Sequence, residues 1–413
     1  MNPFRLWRRA ERSVVFLNHS YYHFWYLSRA LRKRGWDALV VSTESPASPH
    51  ARFYHGEDIN LNTASESRFA HRWVNYKISS FVANAQRRFK LMHFAGDGHL
   101  SFYPWAIGEE DPQDIVNWRA AGGRIAYTIS GCNSATSQSA VAAWSGSLGS
   151  VNVCNRCPWQ HRPEICNDAK NLAWGVKVRK YCDVIFAETL PALDHVRSGP
   201  RIVRESVTTA LDPEIWDPGL KIPEKYRQER AEGEILIYHG VGNYEARSKE
   251  GRNIKGTQAV FAAIERLKLE GHPVRLVFCT DVPSIDMRFV HAQVDIVVDQ
   301  LNYGRYGATA REGMMLGKPV ITYMNIREYL PGDELQSLKE CPLVSATEES
   351  IYAVLKDLVL NPDKRRAIGE ASRRFAMKWH SADACAERYE RIYDEMMKLE
   401  PQTGTYPLAY QPR

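Results

Sequence analysis

The chain has 413 residues, of which 44% are apolar and 25% are charged, and this composition is typical of a folded globular protein. It excludes a disordered chain, a fibrous repeat and a disulfide-stapled miniprotein, and the length predicts two domains. The sequence has no run of about 18 apolar residues that could cross a bilayer. The first residues lack the apolar core of a secretory signal. We therefore expect a cytoplasmic protein.

The positive charge is concentrated in the first hundred residues, which carry 15 Lys and Arg against 7 Asp and Glu, whereas the whole chain has a net charge of +6. A basic half indicates an anionic partner or only a solvated surface. No known nucleic-acid reader module is present, so nucleic acid is not an expected partner. Aromatic and aliphatic side chains alternate with arginines at the N-terminus, which favours peripheral contact with anionic lipid on the inner face of the membrane; they are Phe4, Arg5, Leu6, Trp7, Arg8, Arg9 and Arg12.

Short apolar runs alternate with longer amphipathic runs along the chain, which is the pattern of βα units and parallel sheets. In the first half, this pattern predicts strands at 14–17, 38–41, 90–94, 124–129 and 184–187, and helices at 24–31 and 174–180. In the second half, it predicts strands at 234–238, 274–278, 295–298 and 319–323, and helices at 256–270, 307–317, 348–360, 362–379 and 382–398.

These elements predict an α/β fold with two Rossmann-like domains whose parallel sheets face a central cleft. The segment 211–232 is rich in Pro and charged residues, so it is predicted to be the interdomain linker. The predicted organisation is an N-terminal domain at 1–210 with a cysteine-rich insert at about 132–168, the linker, a C-terminal domain at 233–382, a helix at 383–400, and a tail at 401–413.

The most informative stretch is a Gly-rich turn that leads into a helix at residues 303–325. It places the backbone N–H groups of Gly307, Ala308 and Thr309 at a helix N-terminus, where they predict an anion site. Glu312, one to two turns further on, is placed to accept hydrogen bonds from sugar hydroxyls. The alternative is an ordinary βαβ unit whose glycines serve packing alone.

The run from Glu312 to Ile321 resembles the donor-site motif of retaining glycosyltransferases of the GT-B fold, family-4 type. That motif is Glu-x7-Glu followed by Ala-Met-Ala-x-Gly-x-Pro-Val-Ile. The resemblance implies that Glu312 holds the nucleotide ribose. The first Glu of the motif, which orients the donor sugar, falls at Gly304 in this sequence, so that role is unassigned. Asp299 and Arg305 are the alternatives for it.

An upstream segment resembles the phosphate-binding loop of the same family. A predicted strand runs into Gly240 and Gly242, and Arg252 and Lys255 precede the next helix. The resemblance implies that Lys255 is the cation that stabilises the departing nucleoside diphosphate, with Arg252 or Arg247 as second choice. A dinucleotide fingerprint is the weaker interpretation, because the third glycine is missing.

The resemblance implies that the C-terminal domain binds the nucleotide-sugar donor, that the N-terminal domain is the acceptor side, and that the helix at 383–400 crosses back onto it. The N-terminal half follows the family's layout more loosely. The Gly131-Cys132-Asn133 segment lies where relatives carry polar residues at the cleft, and His19 lies in the first βα loop, on the acceptor side. Asn133 and His19 are therefore candidate catalytic residues, alongside Lys255 and Glu312. A histidine in an aromatic loop also has an ordinary structural interpretation.

Four of the eight cysteines form a candidate metal site: Cys132, Cys154, Cys157 and Cys166. A Cys-x2-Cys turn with two more ligands suits a tetrahedral structural zinc ion, which would compensate for the missing core of a long loop. His161 or Cys182 is the alternative fourth ligand. Free thiols and an iron–sulfur cluster are the other interpretations, whereas disulfides are not expected in a reducing cytoplasm.

The resemblance implies a hexosyltransferase or related enzyme that moves a sugar from a UDP- or GDP-type nucleotide sugar to a glycan or lipid-linked acceptor with retention of configuration. It implies no catalytic divalent metal, and polysaccharide or glycolipid biosynthesis as the setting. Two alternatives remain open at this point. One is a catalytically silent GT-B binding protein, because Gly304 replaces the first Glu. The other is a sugar-nucleotide epimerase.

Overall fold

The computed structural model describes most of the chain. The described residues are 10–18, 21–65, 67–96, 100–106, 108–130, 136–146, 153–154, 157–160, 162, 165–187, 202–203, 209–242, 244, 253–280, 282–325 and 336–398. The chain divides into two compact units, of which the first comprises Met1–Ser137, Asp168–Ala210 and Ala382–Arg413 and the second comprises Gln138–Asn167 and Leu211–Ser381.

The first unit contains a parallel sheet of seven described strands. The strands are β1 (Ser13–Asn18), β2 (Asp37–Ser42), β3 (Ile59–Asn60), β4 (Leu91–Ala95), β5 (Arg124–Ile129), β6 (Val184–Ala187) and β7 (Ile202–Val203). They lie in the order β3-β2-β1-β4-β5-β6-β7, which changes direction between β1 and β4, as in a doubly wound sheet. The helices of this unit are α1 (Trp25–Lys33), α2 (Arg68–Arg88), α3 (Gln113–Ala120), α5 (Asp168–Tyr181) and α12 (Ala382–Lys398).

The last helix of the chain, α12, packs in the first unit against α1. Its Tyr393 hydroxyl lies 2.6 Å from Nδ1 of the buried His93 in β4. Its Glu390 accepts hydrogen bonds from Arg12 at 2.7 Å and from Arg34 at 2.6 Å. Because Arg12 also binds Asp394, its charge is balanced by carboxylates of α12. The other residues of the predicted N-terminal lipid contact, 1–9, lie outside the described residues.

The second unit contains a parallel sheet of five described strands. These are β8 (Ile235–Gly240), β9 (Val274–Cys279), β10 (Ile296–Val298), β11 (Val320–Thr322) and β12 (Val344–Ser345). They lie in the order β12-β11-β10-β8-β9. The helices are α4 (Gln138–Gly146), α6 (Thr257–Leu269), α7 (Met287–His291), α8 (Ala308–Met315), α9 (Gln336–Lys339), α10 (Ile351–Leu360) and α11 (Pro362–Trp379).

The core of the second unit lies between this sheet and its helices α6 and α10. Ile237, Ile264, Val298 and Leu355 are fully or almost fully buried there. The segment 211–232 groups with this unit: Leu211 pairs with Ser381, and the buried Trp216 accepts a hydrogen bond from Arg373. Among the described helices, none is long and apolar enough to cross a membrane.

Candidate functional site

The strand order of the second sheet reverses between β8 and β10, so the segments after these two strands diverge at their carboxyl ends. Ligands of open α/β sheets bind in the crevice at such a point. The segment after β8 leads to α6, and the segment after β10 leads to α8. Within the first segment, 243 and 245–252 lie outside the described residues, and with them Arg247 and Arg252.

An ion pair joins the two segments. Lys255 Nζ lies 2.5 Å from Asp299 Oδ1, and the other carboxylate oxygen of Asp299 accepts a hydrogen bond of 2.7 Å from the backbone N–H of Gly307. The Asp299 side chain is completely buried, whereas 13% of the Lys255 side chain is exposed. The carboxylate therefore lies between an ammonium group and the residue that precedes α8, where the positive end of the helix dipole also favours a negative charge.

Asparagine side chains hold the backbone on both sides of Lys255. Asn253 Oδ1 accepts a hydrogen bond of 3.1 Å from the Gly256 N–H, which closes the turn that begins α6. Asn302 donates to the Asn253 carbonyl at 2.6 Å and to Glu348 at 2.8 Å. Because three segments share these bonds, Lys255 has a defined position at the start of α6.

His239, the penultimate residue of β8, lies beside this ion pair. Its Nδ1 is 3.1 Å from the Val298 carbonyl and its Nε2 is 3.0 Å from Thr257 Oγ1. Since a carbonyl only accepts, Nδ1 carries the proton and Nε2 accepts from the threonine hydroxyl. Burial, and next the positive charge of Lys255, lower the pKa of His239 to about 4. The neutral imidazole thus joins β8, β10 and the first turn of α6.

Glu312 in α8 is almost fully buried, with 2% of its surface exposed. The imidazole of His291 in α7 lies beside it, with Nδ1 at 3.8 Å from Glu312 Oε2. Burial, then the charges of Lys255 and Lys318, lower the pKa of His291 to about 3, so this histidine is neutral. The Tyr238 ring packs edge-on against His291, with centroids 4.3 Å apart. Lys255 therefore lies within electrostatic range of both histidines.

At two positions of this site, Gly240 and Gly304, the structure favours glycine over a residue with a side chain. A Cβ at Gly240 would overlap the Tyr238 hydroxyl oxygen, so a side chain there would require the Tyr238 ring to move. Gly304 has a φ of +86°, and its carbonyl accepts a hydrogen bond of 2.9 Å from the Asn325 N–H. Because a residue with a Cβ is strained at that φ, the backbone disfavours a Glu at position 304.

The structure brings together part of the predicted donor site. Lys255 and Gly307 meet through Asp299, and Ala308 and Thr309 are half-buried in the first turn of α8, where N–H groups have no carbonyl partner within the helix. Gly240 ends β8 and Gly242 lies in the turn after it. The predicted residues Arg252, Asn133, Cys132 and His19 lie outside the described residues.

Sequence reasoning missed His239 and His291. His239 precedes the glycine turn, and an imidazole at the end of a buried strand is the signal that was available for it. His291 belongs to a five-residue helix far from the motifs in sequence, so its position beside Glu312 follows only from the fold.

The three described cysteines of the predicted zinc site lie in local turns. The Cys157 N–H donates to the Cys154 carbonyl at 3.1 Å, and Gln138 Nε2 lies 3.4 Å from Cys166 Sγ. Within the described part of the chain, no group of three or more His, Cys, Asp or Glu residues is arranged to hold a metal ion. Cys132 and His161 lie outside that part, so the zinc site stays a prediction.

Comparison with known proteins finds solved structures that share the fold of this chain. No protein-family model matches it, and no curated protein matches it in sequence. Among solved structures, a sucrose-phosphate synthase from Thermosynechococcus elongatus is similar over 94% of this chain and 100% of its own, with 13% identity and a TM-score of 0.55. The catalytic domain of starch synthase IV from Arabidopsis thaliana, bound to ADP and acarbose, is similar over 94% and 100%, with 11% identity and a TM-score of 0.51.

A third similar structure is Anabaena HepE in complex with UDP, which matches over 93% of this chain and 100% of its own, with 11% identity and a TM-score of 0.51. At these identities the likeness shows the fold alone. The chain has two parallel-sheet α/β domains, and its fold is that of GT-B glycosyltransferases. The prediction of two parallel-sheet α/β domains with a GT-B fold is confirmed.

Proposed function

We propose that this protein is a glycosyltransferase that moves a sugar from a nucleotide sugar to a glycan or lipid-linked acceptor with retention of configuration. The observation that carries the proposal is the position of Lys255. Its ammonium group lies at the carboxyl end of the sheet, at the reversal of strand order, and is joined through Asp299 to the N-terminus of α8. A cation and helix N–H groups in this place suit a diphosphate.

Sugar transfer leaves a nucleoside diphosphate that carries more negative charge than it had in the donor. A fixed ammonium group stabilises that charge more in the transition state than in the ground state, which is the requirement for rate acceleration. We assign this role to Lys255, with Arg252 or Arg247 as a second cation and the N–H groups of Ala308 and Thr309 as further donors. Retention then follows a front-face attack in which the departing diphosphate accepts the acceptor's proton, and this route requires no divalent metal.

Glu312 is assigned to the nucleotide ribose, as the resemblance of the 312–321 run implies. Its carboxylate is almost fully buried beside the neutral His291. Hydrogen bonds donated by ribose hydroxyls would stabilise a buried carboxylate. We assign the acceptor to the first unit, where His19 and Asn133 are the candidate residues. The proposal of a nucleotide-sugar donor is supported by similar folds that were solved with UDP, UDP-glucose or ADP, and a UDP- or GDP-type donor is our hypothesis for the base.

A panel of nucleotide sugars tests the activity. The purified chain is incubated with UDP-, GDP- and ADP-sugars, with and without a membrane extract as acceptor, and release of nucleoside diphosphate is measured. We expect release with one class of donor, accelerated by acceptor, and lost in Lys255→Ala. The matched control is Lys356→Ala, because Lys356 also pairs with a carboxylate of the second unit, at 2.8 Å, on a partly exposed helix face.

The same panel separates the alternatives. Binding of a donor with no turnover under any condition would support the catalytically silent GT-B protein that Gly304 suggests. Conversion of a nucleotide sugar into its epimer without acceptor would support an epimerase. Either result would overturn the transferase proposal.

A further inference from the structure

Helix α2 of the first unit has two dissimilar faces. It begins after Ser67, whose side chain accepts a hydrogen bond of 3.1 Å from the Ala70 N–H, and it runs for 21 residues. One face packs in the unit through Val74, Ile78 and Val82, which are spaced four residues apart and are buried. The opposite face is exposed over the first two turns.

That exposed face is aromatic. Phe69 is 83% exposed, Trp73 58% and Tyr76 63%. Their spacing of four and three residues places them on one side of the helix, and the rings of Trp73 and Tyr76 stack with centroids 5.5 Å apart. Three large aromatic side chains in contact with water form an apolar patch of the kind that marks an interaction site.

A loop of the same unit extends the patch. The Tyr103 side chain lies near Ser79, one turn beyond Tyr76 on α2. The Trp105 ring stacks on Tyr103 with centroids 4.8 Å apart, and Trp105 is itself 49% exposed. We call this set the aromatic face: Phe69, Trp73, Tyr76, Tyr103 and Trp105.

The charged side chains of α2 itself are all basic. Helix α2 contains five Lys and Arg residues and no Asp or Glu. Arg68 and Arg72 are exposed at its aromatic end, and no ion pair joins either of them to a described carboxylate. Arg88, at the other end, is paired with Asp37 at 2.6 Å. Positive charge that no described carboxylate pairs with therefore lies beside Phe69 and Trp73.

The aromatic face lies toward the edge of the first sheet at which the parallel strands end. Helix α2 connects the parallel strands β3 and β4, so it runs back against them, and its first turns lie toward the edge where the strands end. Trp105 follows the carboxyl end of β4. In open α/β sheets that edge carries the ligand site.

We propose that the aromatic face of α2, with Arg68 and Arg72, binds the surface of a bilayer that contains anionic lipid. Trp and Tyr rings are suited to the boundary between headgroups and acyl chains. The two guanidinium groups pair with lipid phosphates and add electrostatic attraction to the anionic surface. Exposed aromatics beside cations, without acidic residues on the helix, fit this surface better than a neutral protein partner.

This inference does not depend on the donor site in the second unit. It would bring the acceptor-binding edge of the first unit against the membrane, as a lipid-linked acceptor requires. Nucleotide binding and lipid binding are measured separately, so either proposal can fail without the other.

Vesicle co-sedimentation of the full chain provides the test. The probes are phosphatidylcholine vesicles with and without about one third phosphatidylglycerol, at low and high salt. We expect binding to the anionic vesicles that salt weakens, and a loss of about tenfold or more both in Trp73→Ser/Tyr76→Ser and in Arg68→Gln/Arg72→Gln. All of these substitutions are at exposed positions, so circular dichroism and nucleotide binding should be unchanged.

The second unit offers matched controls. Leu269 is 89% exposed there, and Arg366 and Arg374 are exposed on α11. Leu269→Ser and Arg366→Gln/Arg374→Gln should bind vesicles like the wild type. Absence of binding to anionic vesicles would overturn the proposal. Vesicle binding that the α2 variants leave intact would also overturn it, because another segment would then be responsible. Concentration-dependent self-association that Trp73→Ser/Tyr76→Ser abolishes would overturn it too, because the aromatic face would then be a contact between copies of the chain.

Discussion

Lys255 Nζ lies 2.5 Å from Asp299 Oδ1, in a pair whose carboxylate is completely buried. The same carboxylate accepts the Gly307 N–H at the start of α8. The cation and one of the N–H donors that the sequence predicts for a phosphate are thus already bound to an anion of the chain itself. A diphosphate that binds here must share Lys255 with Asp299 or replace it.

Replacement of Asp299 by Asn tests this competition. Asn keeps the shape and an oxygen that accepts the Gly307 N–H, but it removes the negative charge. We expect nucleoside diphosphates to bind severalfold more tightly to Asp299→Asn, because the variant removes the repulsion between the Asp299 carboxylate and the diphosphate. A free-energy change of about 1.4 kcal/mol corresponds to about tenfold in affinity, so a severalfold gain reflects a somewhat smaller repulsion. Isothermal titration calorimetry measures the change.

Asp357→Asn is the control, since Asp357 of α10 pairs with Lys364 of α11 at a partly exposed position of the same unit. It should leave the affinity unchanged. Weaker binding in Asp299→Asn would contradict the competition and show instead that the carboxylate is needed to position Lys255.

Gly304→Glu restores the acidic residue of the family motif at a position with φ of +86°. A residue with a Cβ costs about 1–2 kcal/mol in this conformation. We therefore expect urea denaturation to show a loss of that size and donor turnover to show no gain. Gly304→Ala should lose a similar amount of stability, because the cost comes from the backbone. A Gly304→Glu variant that is as stable as the wild type and more active would refute this explanation.

The buried histidines predict a dependence of stability on pH. The pKa of His239 falls from 6.5 to about 4 on folding, so the unfolded chain binds the proton more readily. The stability that the neutral imidazole contributes is complete above pH 6.5 and is lost as the pH falls toward 4. For this histidine alone, the loss between about pH 7 and about pH 5 is about 2 kcal/mol.

His239→Gln isolates that contribution, because Gln retains a donor and an acceptor but does not titrate. Denaturation at about pH 7 and about pH 5 should show a smaller decrease in the variant than in the wild type. His71→Gln, at an exposed position of α2, is the control and should behave like the wild type. Equal decreases in His239→Gln and the wild type would contradict the assignment.

The cysteine cluster predicts about one zinc ion per chain, as for a single tetrahedral site. Elemental analysis of the purified protein measures it, and Cys154→Ser/Cys157→Ser should reduce the zinc content. Cys279→Ser is the control, since Cys279 ends β9, away from the cluster in sequence. A fully folded protein free of zinc would reject the prediction.

The sequence alone predicts the bounds of those strands and helices that have one clear pattern of apolar residues or a clear start signal. The predicted bounds of strands Arg124–Ile129 and Val184–Ala187 agree with the observed ones, because both are short, mostly apolar runs that are buried along their length. Helices Pro362–Trp379 and Ala382–Lys398 also agree, since Pro362 marks the start of the first one.

The largest element that sequence reasoning missed is α2. Its exposed aromatics, Phe69, Trp73 and Tyr76, add apolar residues on the side opposite Val74 and Ile78, and this hides the helical period. The two-residue strands β3, β7 and β12 are too short to show a strand pattern of apolar residues in the sequence. At the site, the motifs identified Lys255 and Glu312, but the partners of these residues come from distant segments and depend on tertiary structure.

The central claim is that the second unit binds a nucleoside diphosphate through Lys255 and Glu312. Its most direct test is a titration with UDP, GDP and ADP that is measured by thermal shift and calorimetry. The proteins titrated are the wild type, Lys255→Ala, Glu312→Ala and the control Lys356→Ala. The account predicts that one of these nucleotides stabilises the wild type and the control, and that each site variant binds it about tenfold or more weakly. Unchanged affinity in both site variants, or no binding of any nucleotide to the wild type, would contradict it.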